Sequence, residues 1–167
     1  MAYTERQLAD YSGPLRATLV AGLGGAAVDA IYFSSKALVM GQSPISVLQA
    51  IAAFWLGKDA FGGGPQSAAL GAATHVGLAT AMAGGFLLAR PHLRWLRGSV
   101  VQAGVLYGLF LYLLMYLVVL PIRWPTLYPN FTGLGFILDI AAHLAVGITF
   151  AILLKAMDSP QRRVADL

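Results

Sequence analysis

The chain has 167 residues, of which 58% are hydrophobic and 11% charged, and its formal net charge is +4. A soluble domain carries roughly 25% charged residues, so the composition excludes that class. The absence of cysteine excludes disulfides, thiolate catalysis, haem attached through CxxCH and clusters held by thiolates.

The apolar residues fall into four blocks, 17–40, 67–89, 99–120 and 134–154. Each reaches the ~20 residues that a helix needs to cross ~30 Å of hydrocarbon. The fold class this predicts is all-α, an integral membrane four-helix bundle. Residues 1–16 are polar and read as a short cytoplasmic arm, with Pro14 suited to the first turn of the helix that follows. The first block is too long for the apolar part of a signal peptide. Glu5 and Asp10 also stand where a short basic segment would precede one.

Between the first two spans lies "GQSPISVLQAIAAFWLGKDAFGGGP". Ser43 can cap a helix with Pro44 at its first position. Ile45, Leu48, Ile51, Ala52 and Trp55 then recur at helical spacing. A helix over 44–57 is too short to span, which predicts an interfacial or re-entrant segment on the outer side. The glycines 62–64 and Pro65 end it and turn the chain back. No Lys-Ser/Thr follows them, so a phosphate-cradling loop is not expected.

Arg90, Arg94 and Arg97 crowd the loop after the second span, and Lys155, Arg162 and Arg163 follow the fourth. The opposite side carries Lys36, Lys58 and Arg123. The positive-inside rule therefore places both termini, including the tail 156–167, in the cytoplasm, and reads the net charge as topology rather than nucleic-acid affinity. In the loop "PIRWPTLYPNFTG", Trp124 and Tyr128 suit the headgroup belt together with Trp55, and Trp95 suits the inner one.

Four ionisable residues lie within or near the spans: Asp29, His75, Asp139 and His143. Each continues a file of small residues spaced four apart: Ala17, Ala21 and Gly25 before Asp29; Gly71, Ala79 and Ala83 around His75; Gly147 and Ala151 after His143. Such files mark faces where membrane helices approach closely, so each ionisable group is expected to point at another helix. The third span adds a GxxxG pair, Gly104 and Gly108. Aligned on their histidines, "AATHVGLATAMAGGFLL" and "IAAHLAVGITFAILLKA" share a hydropathic pattern. The second helices of two parallel hairpins would then form a pseudo-repeat about an axis along the membrane normal. At ~1.5 Å per residue, both rings sit ~12–14 Å below the outer surface. His75 and His143 are therefore expected to pair, directly or through a small ligand, water or metal. Their chemistry suits interhelical hydrogen bonding, bis-histidine haem b, or, with Asp29 and Asp139, a proton or ion pathway. Zinc is not expected from two histidines in apolar surroundings.

No GxSxG, HExxH or Walker motif occurs, so the chain reads as non-enzymatic. The leading expectation is an accessory or scaffold subunit among membrane lipids, binding a membrane-protein partner or a second copy. A bis-histidine haem b electron carrier and a small proton- or ion-coupled transporter or channel are the alternatives.

The run "SPISVLQAIA", the glycine-rich turn that holds Gly57, Gly63 and Gly64, "ALGAATH" with His75, "YGLFLYLLMYLVVLP" and the His143 helix resemble small four-span bacterial inner-membrane proteins of the YagU-like group. The resemblance covers roughly residues 17 to 155. It departs at "VGITFAILL", where the group's pattern has a proline-containing turn. It implies a bacterial inner-membrane location and a histidine in each hairpin, and no activity.

Overall fold

The structure, a computed structural model, describes residues 5–157. Four helices are long and apolar enough to cross a membrane, and among the described residues there is no strand. The first helix, α1, covers Glu5–Val39. It starts before the apolar block because the residues ahead of Pro14 include good helix formers. Pro14 thus stands inside the helix rather than in its first turn. It withholds one N–H from the carbonyl four residues back, a small loss this close to the helix end. Of the expected tail, positions 158–167 lie outside the described residues.

Helix α2, Pro44–Leu56, begins as its sequence dictates: the Ser43 side chain accepts the Ile45 N–H, and Pro44 occupies the first turn. Gly57, at φ +63°, ends it in a conformation that disfavours a side chain. A 3₁₀ segment over Gly57–Gly62 leads to α3, Gly64–Ala89, with Pro65 in its first turn. A short 3₁₀ segment, Arg94–Arg97, precedes α4, Val100–Leu114, which is capped by Ser99 accepting the Gln102 N–H. That span continues through one π turn, Met115–Val119, into α5, Leu120–Arg123. The last helix is α6, Gly133–Ala156.

The helices pack as a bent row, with α3 against α1, α1 against α6 and α6 against α4. Glycine sets the closest approaches. A Cβ on Gly147 of α6 would lie 2.3 Å from the Gly104 carbonyl oxygen, and one on Gly108 would lie 2.4 Å from that of His143. On the other side, a Cβ on Gly22 would meet Thr80 at 2.5 Å. The short helix α2 lies across α3, where a Cβ on Gly71 would lie 1.9 Å from the Leu48 carbonyl oxygen. Each hairpin closes on itself, yet the cross-contacts are unequal. Helices α1 and α6 pack directly, whereas α3 and α4 meet mainly through Tyr107, whose hydroxyl donates to the Met82 carbonyl at 2.7 Å and whose ring abuts Phe86.

The apolar core gathers in the half of the bundle nearer Arg90, around Phe86, Leu96, Leu111, Phe150 and Leu154. A second, smaller cluster holds α2 down: Ala52, Ala53 and Ala60, with Trp124 against them. Arg123 donates from Nε to the Ala53 carbonyl at 3.3 Å, and Trp55 donates to Thr74 Oγ1 at 3.0 Å. The half of the bundle beside α2 is therefore where the polar residues collect.

Candidate functional site

The site is built on α1. Asp29, Tyr32, Phe33 and Lys36 continue the face begun by the small residues Ala17, Ala21 and Gly25. Those smaller residues are buried, and Gly25 lies under the Phe150 ring of α6. One turn further along, the same helix turns polar groups toward both of its neighbours.

Toward α6, Lys36 Nζ donates to Asp139 Oδ1 at 2.6 Å, and the Tyr32 hydroxyl donates to the same oxygen. The Asp139 side chain is 13% exposed and that of Lys36 33%. A carboxylate this close to hydrocarbon persists when a cation and hydrogen-bond donors offset its lost hydration, and Asp139 has both. His143, one turn along α6, donates from Nδ1 to the Asp139 backbone carbonyl at 2.8 Å. Its ring stands edge-on to Tyr112 and Tyr116, which stack on each other with centroids 4.5 Å apart. Tyr128, in the loop beyond the span, packs edge-on against Tyr116. Burial, reinforced by the negative charge of Asp139, pushes its phenol up from the ordinary range.

Toward α3, His75 Nε2 donates to the Ala26 carbonyl at 3.1 Å. Its Nδ1 stands 3.8 Å from Asp29 Oδ2, an ion-pair distance longer than a hydrogen bond. Phe33 meets the ring edge-on. Tyr32 lies between the two halves of the site: it follows Asp29 by three residues on α1 and donates to Asp139.

The structure keeps the two histidines apart. Both lie about three turns into their helices, but His75 is held by α1, and His143 by α6 itself and the tyrosines of the third span. No hydrogen bond, ion pair or ring contact joins them among the described residues. The helices that carry them, α3 and α6, make few contacts. That geometry does not suit two axial ligands on one haem. Among the described residues, no group of three or more His, Asp or Glu could hold a metal ion.

Two members of the site, Tyr32 and Lys36, escaped the sequence reading. The signal was there: they follow Asp29 by three and seven residues, on the same helix face. Lys36 read as a flanking charge, but it lies in the last turn of α1. The stacked Tyr112 and Tyr116 of the third span wall the His143 site.

Fold and site together define a multi-pass membrane protein with four spanning helices and a partly buried ion pair between the first and last of them. Compared with family models, curated proteins and solved structures, the chain matches none.

Proposed function

We propose that this protein is a non-enzymatic accessory or scaffold subunit that docks a helix of a membrane partner, or of a second copy, along α3. One observation carries the reading. Ala69, Ala73, Gly77 and Ala81 are exposed at four-residue spacing along α3. A Cβ on Gly77 would meet nothing within 4 Å, whereas Gly22, Gly71, Gly104, Gly108 and Gly147 are all spent on contacts inside the bundle. Small residues at this spacing let helices approach closely, which drives association in lipid. Leu70 and Leu78 flank the file as partly exposed knobs. The Asp139 site then serves as a clamp that fixes α1 against α6.

The same reading places the protein in a bacterial inner membrane, with both termini and the Arg90 end in the cytoplasm. Arg90, Arg94, Arg97 and Lys155 support this orientation. At the opposite end, Lys36 is paired to Asp139, and Arg123 is tied to the Ala53 carbonyl. The resemblance to the YagU-like group supports the bacterial setting.

Purification of the full chain in mild detergent tests the docking. A complex, with a partner or a second copy, is expected for the wild type and is lost in Gly77→Leu, whose side chain fills the file from a position where an added Cβ meets open space. A chain that runs alone in both forms sinks the proposal. The second reading, a proton- or ion-coupled transporter, draws on the polar run His75, Asp29, Tyr32, Asp139. It requires flux in liposomes that Asp29→Asn abolishes.

A further inference from the structure

A cleft of about 400 Å³ opens between α1 and α3, beneath the first turns of α2. Its walls are Leu23, Ala26, Ala27, Ala30 and Phe33 from α1, and Ala72, His75 and Val76 from α3, with Pro44 and Leu48 over one end. The volume falls in the ~300–1,000 Å³ range of small-ligand sites. The surface is almost wholly apolar. Ser34 and His75 are its polar residues, and the His75 ring is already tied to the Ala26 carbonyl and faces Asp29. Alanines on both helices make the space, and the exposed Leu23 and Ala27 place its mouth on the outside of the bundle.

We propose that this cleft seats one acyl chain of a bilayer lipid from the leaflet on the α2 side. Three observations carry it. The mouth lies between two spanning helices, so the medium that reaches it is hydrocarbon. Along α1 the lining runs from Leu23 to Ser34, about 16 Å at ~1.5 Å per residue, or half of the ~30 Å core that two leaflets share. An unfilled apolar void forfeits the dispersion contacts of every atom lining it, and packing of this kind is what makes association in lipid favourable. The chain enters beneath Pro44 and Leu48 and ends beside His75, with its headgroup left at the α2 surface. The bound chain packs against both α1 and α3, and so joins the hairpin where it is otherwise open.

The test uses the full chain in phosphatidylethanolamine and phosphatidylglycerol vesicles containing a trace of phospholipid with a diazirine near the end of one acyl chain. After illumination, label is mapped by peptide. Several-fold enrichment is expected on the segments around Ala26 to Ser34 and Ala72 to Val76, relative to the lipid-facing Leu109, Phe110 and Leu113 of α4. Ala30→Leu and Ala72→Leu, which narrow the cleft from opposite walls, each remove the enrichment and leave labelling of α4 unchanged. Even labelling of all exposed positions in the wild-type protein overturns the proposal whether or not the variants fold. So does enrichment that persists in two folded variants.

Discussion

Removing Lys36 alone and removing it together with Asp139 are expected to have different effects. Lys36→Ala leaves the Asp139 carboxylate, 13% exposed, without its cation. The cost is on the order of 2 kcal/mol, since an orphaned buried charge loses hydration and gains nothing for it. Replacing the pair with Lys36→Met and Asp139→Leu removes the charge as well and restores most of the loss. Thermal unfolding in micelles reads the difference, and equal destabilisation by the single and double changes would remove the ion pair from the account. His75→Ala and His143→Ala are expected to be additive within ~0.5 kcal/mol, because the two rings share no partner. His75→Ala alone costs about 0.6–1.7 kcal/mol, the range of interhelical hydrogen bonds in membranes, whereas the His143 hydrogen bond stays within α6. Strong coupling in the double variant would mean that the rings meet. Depth and spacing are legible in a sequence, and both histidines do lie about three turns into their helices. The direction in which a ring points depends on which helices touch, and a hydropathic repeat does not carry that.

At the scale of helices, the glycine contacts order the effects of one added methyl group. Gly147→Ala places a Cβ 2.3 Å from the Gly104 carbonyl, so α4 and α6 must separate. Overpacking of this kind costs about 1–3 kcal/mol. Gly77→Ala meets open space and is expected not to destabilise the isolated chain, since alanine is the better helix former. Equal effects at the two glycines would mean that the α4–α6 contact is looser than drawn. The spans themselves were legible because hydrocarbon thickness fixes their length, and α2 was legible because Ser43 and Pro44 announce its start. The GxxxG pair in the third span was ambiguous, since glycine is common in membrane helices. Its significance came from Gly147, which lies far away in sequence on the helix it meets.

For the whole molecule, the absence of native cysteine makes topology directly measurable. A cysteine at Lys58, beside α2, is expected to react with an impermeant maleimide on intact cells. One at His92, near Arg90, should react only after permeabilisation. The reverse pattern would invert the protein and move the acyl-chain cleft to the cytoplasmic leaflet. The division of the bundle, with packing toward Arg90 and polarity toward α2, also predicts uneven exchange. Amides near Phe86, Leu111 and Phe150 should be the slowest, and those around Lys36 and Tyr32 faster. Uniform protection along α1 would argue against that division.

The π turn at Met115–Val119 sets the phase of everything beyond it. The Leu120 N–H reaches back five residues to the Met115 carbonyl, so the span carries one residue more than a regular helix would. That residue rotates the following segment by about 100°. Arg123, which grips the Ala53 carbonyl, and Trp124, which seals Ala52 and Ala60, both lie beyond the offset. Deleting Val118 would restore a regular helix and swing both side chains off α2, like a gear advanced by one tooth. The third span would still cross the membrane. Amides from Ala52 to Ala60 would nonetheless lose their protection against exchange, because the short helix would have been unlatched from a distance by a change of angle alone.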